Sequence, residues 1–253
     1  MIILGDKMGK NNLFCVDIDN TLICQTVPDK YGICVAVKNG KNASYMRNDT
    51  YDKFVRLTSL ITVLPVTTRC RESYENIYLK KFFERALVDN GAILVSKSSQ
   101  EMKDWIFDSR KLIEGAKVSF DEARKLIEAY GYTEKWGSEF VLDYTCKGIT
   151  QDDKKELMKE LDKFSGDLLV RMGETSMLCT YKNLSKGENI KRYARKFNYN
   201  LFISAGDSLE DVSMFEQTDI SIGKSGSTYI FKTDNKLDFC DSVVNTVYDL
   251  LSD

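Results

Sequence analysis

Two aspartates, Asp17 and Asp19, close the apolar run Leu13-Phe14-Cys15-Val16, and Thr21 follows them. A short continuous apolar run ending in turn residues reads as a strand buried on both faces of a parallel sheet. Residues i and i+2 of a strand share a face, so the two carboxylates converge on one small volume. Doubly wound sheets bind ligands beyond the carboxyl ends of their strands, which is where this pair stands. Like charges that close need a cation, or one of them must hold a proton. Taken alone, the pair equally fits a strand end with two solvated turn aspartates. Partners at the ends of other strands decide between these readings.

Such partners appear in order along the chain. Thr67 follows the apolar run 60–66, Lys186-Gly187 opens a helical pattern, and Gly206-Asp207 with Asp211 follows the run Leu201–Ala205. Each is weak by itself, since a lysine is by default a surface charge and Gly-Asp a turn. Together they make a set suited to removing phosphate. A carboxylate, Asp17, can attack phosphorus and carry the phosphoryl group. The negative charge gathered there calls for a divalent cation. Mg2+, which prefers oxygen ligands and keeps several waters, suits Asp17, Asp207 and the backbone carbonyl of Asp19. Lys186 supplies a compact positive charge beside the nucleophile. The Thr67 hydroxyl can hold phosphoryl oxygens. Asp19 can protonate the leaving oxygen and then activate water.

The composition narrows the alternatives. The chain has 253 residues, no histidine, and 36 basic against 38 acidic residues for a net charge of -2. Without histidine, Ser-His-Asp and Cys-His catalysis and His-ligated zinc are excluded, and acid–base work falls to carboxylates, Lys, Tyr or Cys. The balanced charge makes nucleic acid an unexpected partner. No apolar run approaches the ~18 residues that would span a bilayer, so no membrane partner is expected. The start, Met1–Lys7, is too short and polar for a signal peptide, and Met8 is a second candidate start. Seven cysteines with no Cys-x-x-Cys pair fit thiols in a reducing, cytoplasmic setting.

The elements that position the set follow from patterning. Apolar residues around Asn39-Gly40 predict a hairpin over 31–46, lying over the carboxyl ends of the sheet near the aspartates. Helices are expected at 51–59 and 71–84, and two short strands around the Asn90-Gly91 turn. From 96 to 182 the texture changes: helical patterns at 100–115, 121–130 and 150–164 alternate with extended segments at 139–144, 167–172 and 176–181. This reads as a small α+β module inserted between parallel units. The parallel pattern resumes with a helix from 185 to 197, strands at 201–205 and 220–223, a helix at 209–216, and a closing helix at 241–251. The expected fold is α/β: a Rossmann-like doubly wound parallel core, 1–95 with 183–253, carrying an α+β insertion at 96–182.

On these residues the chain resembles the haloacid dehalogenase superfamily of phosphohydrolases, in its sucrose-phosphatase and Cof-like branch. Val16-Asp17-Ile18-Asp19-Asn20-Thr21-Leu22 is similar to its first motif and Val66-Thr67-Thr68-Arg69 to its second, where Thr68 replaces the usual glycine. Leu184-Ser185-Lys186-Gly187 is similar to the third, and Ala205-Gly206-Asp207 through Phe215 to the fourth, with Glu210 where Asn is common. Asn90-Gly91-Ala92 resembles the entry to a cap between the second and third motifs. The resemblance implies a Mg2+-dependent phosphatase of small phosphomonoesters, sugar phosphates among them, working through an aspartyl-phosphate. It implies catalytic roles for Asp17, Asp19, Thr67 and Lys186, metal roles for Asp17, Asp19, Asp207 and Asp211, and phosphate or substrate contacts for Thr67, Thr68, Arg69, Lys186 and Asn90. The extra charge of Glu210 is expected to bear on the metal shell. Runner-up readings are a phosphomutase, with Arg171 and Lys182 holding the far end of a bisphosphate, and a catalytically weak binding or regulatory module.

Overall fold

The computed structural model describes residues 11–28 and 32–252. The readings of Met1–Lys7, of Met8 as a start and of Tyr31 lie outside them. In chain order the elements are β1 (Asn12–Val16), the hairpin β2 (Gly32–Lys38) and β3 (Lys41–Arg47), α1 (Asn48–Leu60), β4 (Thr62–Pro65), α2 (Arg71–Glu75), and the antiparallel pair β5 (Arg85–Val88) and β6 (Ile93–Ser96). Then come α3 (Ser99–Ile113), α4 (Lys117–Ala129), β7 (Thr133–Gly137), β8 (Val141–Thr145), α5 (Gln151–Leu161), β9 (Leu168–Met172) and β10 (Ser176–Tyr181). The chain closes with α6 (Lys186–Phe197), β11 (Asn200–Ala205), α7 (Val212–Phe215), β12 (Ile220–Gly223), β13 (Tyr229–Ile230) and α8 (Lys236–Ser252).

The principal sheet is parallel, in the order β13-β12-β11-β1-β4. The inner strand β1, between β11 and β4, is buried throughout because alternate side chains serve two separate cores. Phe14 and Val16 pack with Phe54 and Leu57 of α1 and with Phe239, Val243 and Val247 of α8. Leu13 and Cys15 pack on the other face with Ile190 and Tyr193 of α6, Met214 of α7 and Trp105 of α3. This is the doubly wound arrangement that the apolar run predicts, and it brings the carboxyl ends of β1, β4 and β11 to one rim. Between β6 and α6 lies a second sheet, antiparallel, in the order β7-β8-β10-β9, with α4 and α5 packed around a core of its own. No described helix is long and apolar enough to cross a membrane.

Two expectations need correction. The helix foreseen over 71–84 breaks after Glu75. Ile77 is extended and bridges Ala36, Val37 N–H donates to the Asn76 carbonyl at 3.1 Å, and a 3-10 turn follows over Tyr78–Phe82. Pairing with the hairpin outweighs the helical propensity of the segment. The 139–144 extension holds β8, but β7 before it went unforeseen: its Thr-Glu-Lys-Trp-Gly sequence is almost wholly exposed and has no alternation to read.

The junction into the second sheet is a turn at Asp89, Asn90 and Gly91, with φ of 50°, 57° and 97° in succession. Gly91 is obligatory here, because a side chain would run into Asn189 as well as strain the backbone. Asp89 is 2 % exposed, its Oδ1 has no hydrogen-bond partner, and its carboxyl is pushed up to about 6 by burial, with Glu72 and Glu139 adding to the shift and the Ser138 hydroxyl opposing it. A carboxyl raised in the folded state contributes most to stability below its unfolded value, near 3.8, and that contribution is lost as pH rises through about 6. Asn tolerates the same left-handed conformation. Asp89→Asn is therefore expected to stabilise the protein by about 1–3 kcal/mol at pH 8. In paired urea melts the gain should vanish below about pH 4.

Candidate active site

The site is assembled at the rim where β1, β4 and β11 end. β1 delivers Asp17, and Asp17 N–H donates to the Ala205 carbonyl at 2.9 Å, which locks the ends of β1 and β11 together. Beyond it the chain coils tightly, with the Ile18 carbonyl accepting from the N–H groups of Leu22 and Ile23 and Asn20 left-handed at φ 58°. Lys186 stands at the first position of α6 because Ser185 caps the helix, its side chain accepting from Glu188 N–H. A cation at a helix N-terminus opposes the helix dipole, so its partners must overcome that. They do: Lys186 Nζ lies 2.7 Å from Asp17 Oδ1 and 2.6 Å from Asp211 Oδ1, with Lys186 2 % and Asp211 0 % exposed. Gly187 permits this closeness, since a methyl there would overlap the Ser213 backbone.

Asp211 is held from its other side by Ser208, whose N–H and Oγ donate to Oδ2 at 3.0 and 2.7 Å. The Ser-x-x-Asp spacing of a capping box was the available signal for Ser208. Both Asp211 oxygens are thus engaged. Carboxylate oxygens of Asp17, Asp207 and Asp211 all lie within 4.8 Å of one another, and Thr21 Oγ1 is 3.5 Å from Asp207 Oδ1. Burial raises the Asp17 carboxyl well above the ordinary carboxylate range; Lys186 opposes the shift, and Asp211 and Asp19 add to it. Burial likewise pushes Asp207 up to about 6, with Asp211 contributing. For Lys186, burial works against the charge, but Asp17 and Asp211 together raise it above the usual lysine value. One lysine does not satisfy three crowded carboxylates. The donor set of Asp17, Asp207 and a neighbouring backbone carbonyl is the oxygen-rich, incomplete shell that suits Mg2+ with waters.

The remaining foreseen residues fall in three places. Asp19 is bound in a fork by Arg69: Nε to Oδ2 and Nη2 to Oδ1, each 2.6 Å. The Arg69 guanidinium therefore faces Asp19, and its Nη1 reaches the Ser73 carbonyl at 3.3 Å. Thr67 is buried, and its hydroxyl accepts from Arg69 N–H at 3.1 Å; Thr68, its neighbour, is the one that lines the cavity. Asn90 is turned to the Leu184 carbonyl at 3.1 Å, where it supports the segment before Lys186. Glu210 is outside the cluster of Asp17, Asp207 and Asp211 and lines the same cavity. Lys182 Nζ points to the Ser165 carbonyl at 3.4 Å, while Arg171 lines the same cavity as Asp17 and Lys186.

That cavity, about 680 Å³, runs from Asp17, Asp19, Lys186 and Asp207 to the face of the second sheet. A haloacid dehalogenase-like hydrolase profile matches residues 141–232, the stretch that carries Lys186, Asp207 and Asp211. Over that stretch the chain is similar to the haloacid dehalogenase-like hydrolases. Similar solved folds include a sucrose-phosphatase from Synechocystis sp., crystallised with sucrose and phosphate, at 13% identity and TM-score 0.65, with 95% of this chain and 99% of that one covered. The C-terminal domain of trehalose-6-phosphate phosphatase from C. albicans is 14% identical at TM-score 0.60, with 96% and 93% covered. The Aspergillus fumigatus trehalose-6-phosphate phosphatase is 13% identical at TM-score 0.56, with 95% and 93% covered. At such identities the likeness is one of fold. A search of curated proteins by sequence returns no match.

Proposed function

We propose that this hydrolase is a Mg2+-dependent phosphatase of small phosphomonoesters, with 1–95 and 183–253 as the catalytic core and 96–182 as a cap over it. The observation that carries the reading is the buried triad of Asp17, Lys186 and Asp211 with Asp207 beside it. Sugar phosphates are the favoured substrates, because sucrose- and trehalose-phosphate phosphatases share the fold. Seven free thiols favour a reducing cytoplasm.

In this reading Asp17 attacks phosphorus to form an aspartyl-phosphate, and the leaving oxygen takes a proton from Asp19. Water deprotonated by Asp19 then releases phosphate. Mg2+ would be held by Asp17, Asp207 and the Asp19 carbonyl, and would supply charge neutralisation there. Lys186 keeps the buried nucleophile compensated and oriented, and Asp211 with Ser208 holds Lys186. The Asp19–Arg69 fork gives the phosphate a lever: phosphoryl oxygens compete for the same guanidinium, and drawing Arg69 away frees Asp19 for proton transfer. The cap face shields the site from bulk water during transfer.

The test is phosphate release from a panel of phosphorylated sugars, nucleotides and small acids, with Mg2+ and with EDTA. Release with Mg2+ and its loss with EDTA are expected. No release from any compound, with Mg2+ binding demonstrated, contradicts the reading and favours a binding module.

A further inference from the structure

A groove of about 470 Å³ runs between α3 and α6, and Arg192 forms part of its wall. Asp17, Asp19 and Asp207 do not line it. Arg192 reaches from α6 to α3, where its guanidinium carbon lies 3.6 Å from the centre of the Trp105 ring and its Nη2 donates to Ser109 Oγ at 2.8 Å. These contacts fix the guanidinium, yet its Nε and Nη1 are buried with no partner among the described residues. A buried donor left unmade costs its full desolvation, and more on a charged group. Burial accordingly pushes Arg192 down to about 10, with Asp108 opposing the shift.

Asn189, three residues earlier on α6, carries the complementary defect. Its Nδ2 donates to the Asn90 carbonyl at 3.1 Å and to the Leu184 carbonyl at 2.9 Å, which sets the amide's orientation. Its Oδ1 is left buried with no partner among the described residues. Asn189 and Arg192 both line the groove, and residues three apart on a helix are surface neighbours with Cβ atoms about 5–6 Å apart. One wall thus presents charged donors and a neutral acceptor, all unanswered. Arg195 and Lys196 also line the groove, with the acids Asp108 and Glu188. Those acids are drawn to Lys196 at 3.7 Å and Lys191 at 2.9 Å. The charge left over is positive, so the missing group is an anion. Two acids in the wall disfavour a dianion such as phosphate and favour a single carboxylate. The open Asn189 oxygen requires a hydroxyl or ammonium beside that carboxylate.

We infer that this groove is a binding site for a small organic acid, with its carboxylate on Arg192 and an adjacent hydroxyl or ammonium on Asn189 Oδ1. The seat stands on both passages between the parallel core and the second sheet. Asn189 joins Asn90 of the first passage to Leu184 of the second. Under Arg192, Trp105 Nε1 donates to the Gly91 carbonyl at 3.0 Å and Ser109 Oγ to the Ala92 carbonyl at 2.7 Å. A ligand that engages Arg192 and Asn189 therefore stiffens 89–92 and 182–185. The site is independent of the phosphatase reading.

The experiment uses the full chain carrying Trp136→Phe, so that Trp105, the other of the two tryptophans, alone emits. Lactate, alanine, propionate and inorganic phosphate are titrated against it. The first three share a three-carbon carboxylate and differ in the adjacent group, which is hydroxyl, ammonium or absent. Lactate or alanine should change the Trp105 emission saturably and bind at least about tenfold more tightly than propionate or phosphate. The tighter of the two identifies the adjacent donor. Arg192→Met keeps the stem over Trp105 and removes the donors, and Arg192→Lys keeps the charge without Nε and Nη1. Each should weaken binding about tenfold or more, and the lysine variant carries the test if the methionine variant fails to fold. Amide hydrogen exchange at 89–92 and 182–185 should slow at saturation. Equal affinity for propionate, tighter binding of phosphate, or undiminished binding in the Arg192 variants overturns the assigned ligand. No saturable binding of any of the four overturns the site and leaves water as the groove's occupant. Binding with unchanged exchange overturns the stiffening.

Discussion

Asp17→Asn is expected to lower phosphate release by at least about 10³-fold while leaving the fold intact or more stable. The loss follows because an amide is no nucleophile toward phosphorus and a poorer partner for a cation. The gain in stability follows from the crowding at the site. Burial raises the Asp17 carboxyl, and Asp211 and Asp19 raise it further, so Lys186 compensates it only in part. Removing one of the clustered charges relieves that repulsion, as happens at sites where function is held against stability. Thermal melts beside steady-state rates, both in Mg2+, check the pair of outcomes. A variant with wild-type turnover would sink the mechanism, and a variant that unfolds would show that the charge of Asp17 is structural.

Lys186→Met carries the second large effect, and it runs the opposite way in stability. It leaves Asp17 and Asp211 buried without the cation that lies 2.7 and 2.6 Å from them. Breaking a buried pair by removing one partner costs about 3–5 kcal/mol, since the remaining charge is uncompensated. The variant should therefore melt far below wild type and lose activity as well. Added Mg2+ should restore more of its melting temperature than it adds to wild type, because the cation binds the folded carboxylates alone. Equal melting temperatures for the variant and wild type would mean that the triad is not held together by charge.

The parallel core was readable because each strand is short, apolar and closed by a polar residue with chemical capacity. Asp17, Thr67 and Asp207 mark the ends of β1, β4 and β11 in that manner. The Lys186 position was readable from Ser185 and Glu188, which signal a helix start. What escaped depended on tertiary contacts. The break at Asn76–Ile77 comes from a bridge to Ala36 in the hairpin, and no local propensity encodes it. The Asp19–Arg69 fork joins residues fifty positions apart; the motif spacing gives both residues but not their mutual engagement. Asp211 stands in the carboxylate cluster as foreseen, but its pairing with Lys186 and Ser208 was not legible from the spacing. Strand β7 escaped because it is an exposed edge with a bulge. The same bulge brings Lys135 and Trp136 to the site face.

The measurement that tests the central claim most directly is rapid-quench mass spectrometry of Asp19→Asn mixed with p-nitrophenyl phosphate and Mg2+. Its leaving group departs without a proton, so the first transfer survives loss of the Asp19 carboxyl while hydrolysis of the intermediate slows. The account predicts a burst of one p-nitrophenol per chain and one phosphoryl group on the peptide that bears Asp17. Steady release at the wild-type rate with no labelled peptide, or a phosphoryl group on any other residue, would contradict it.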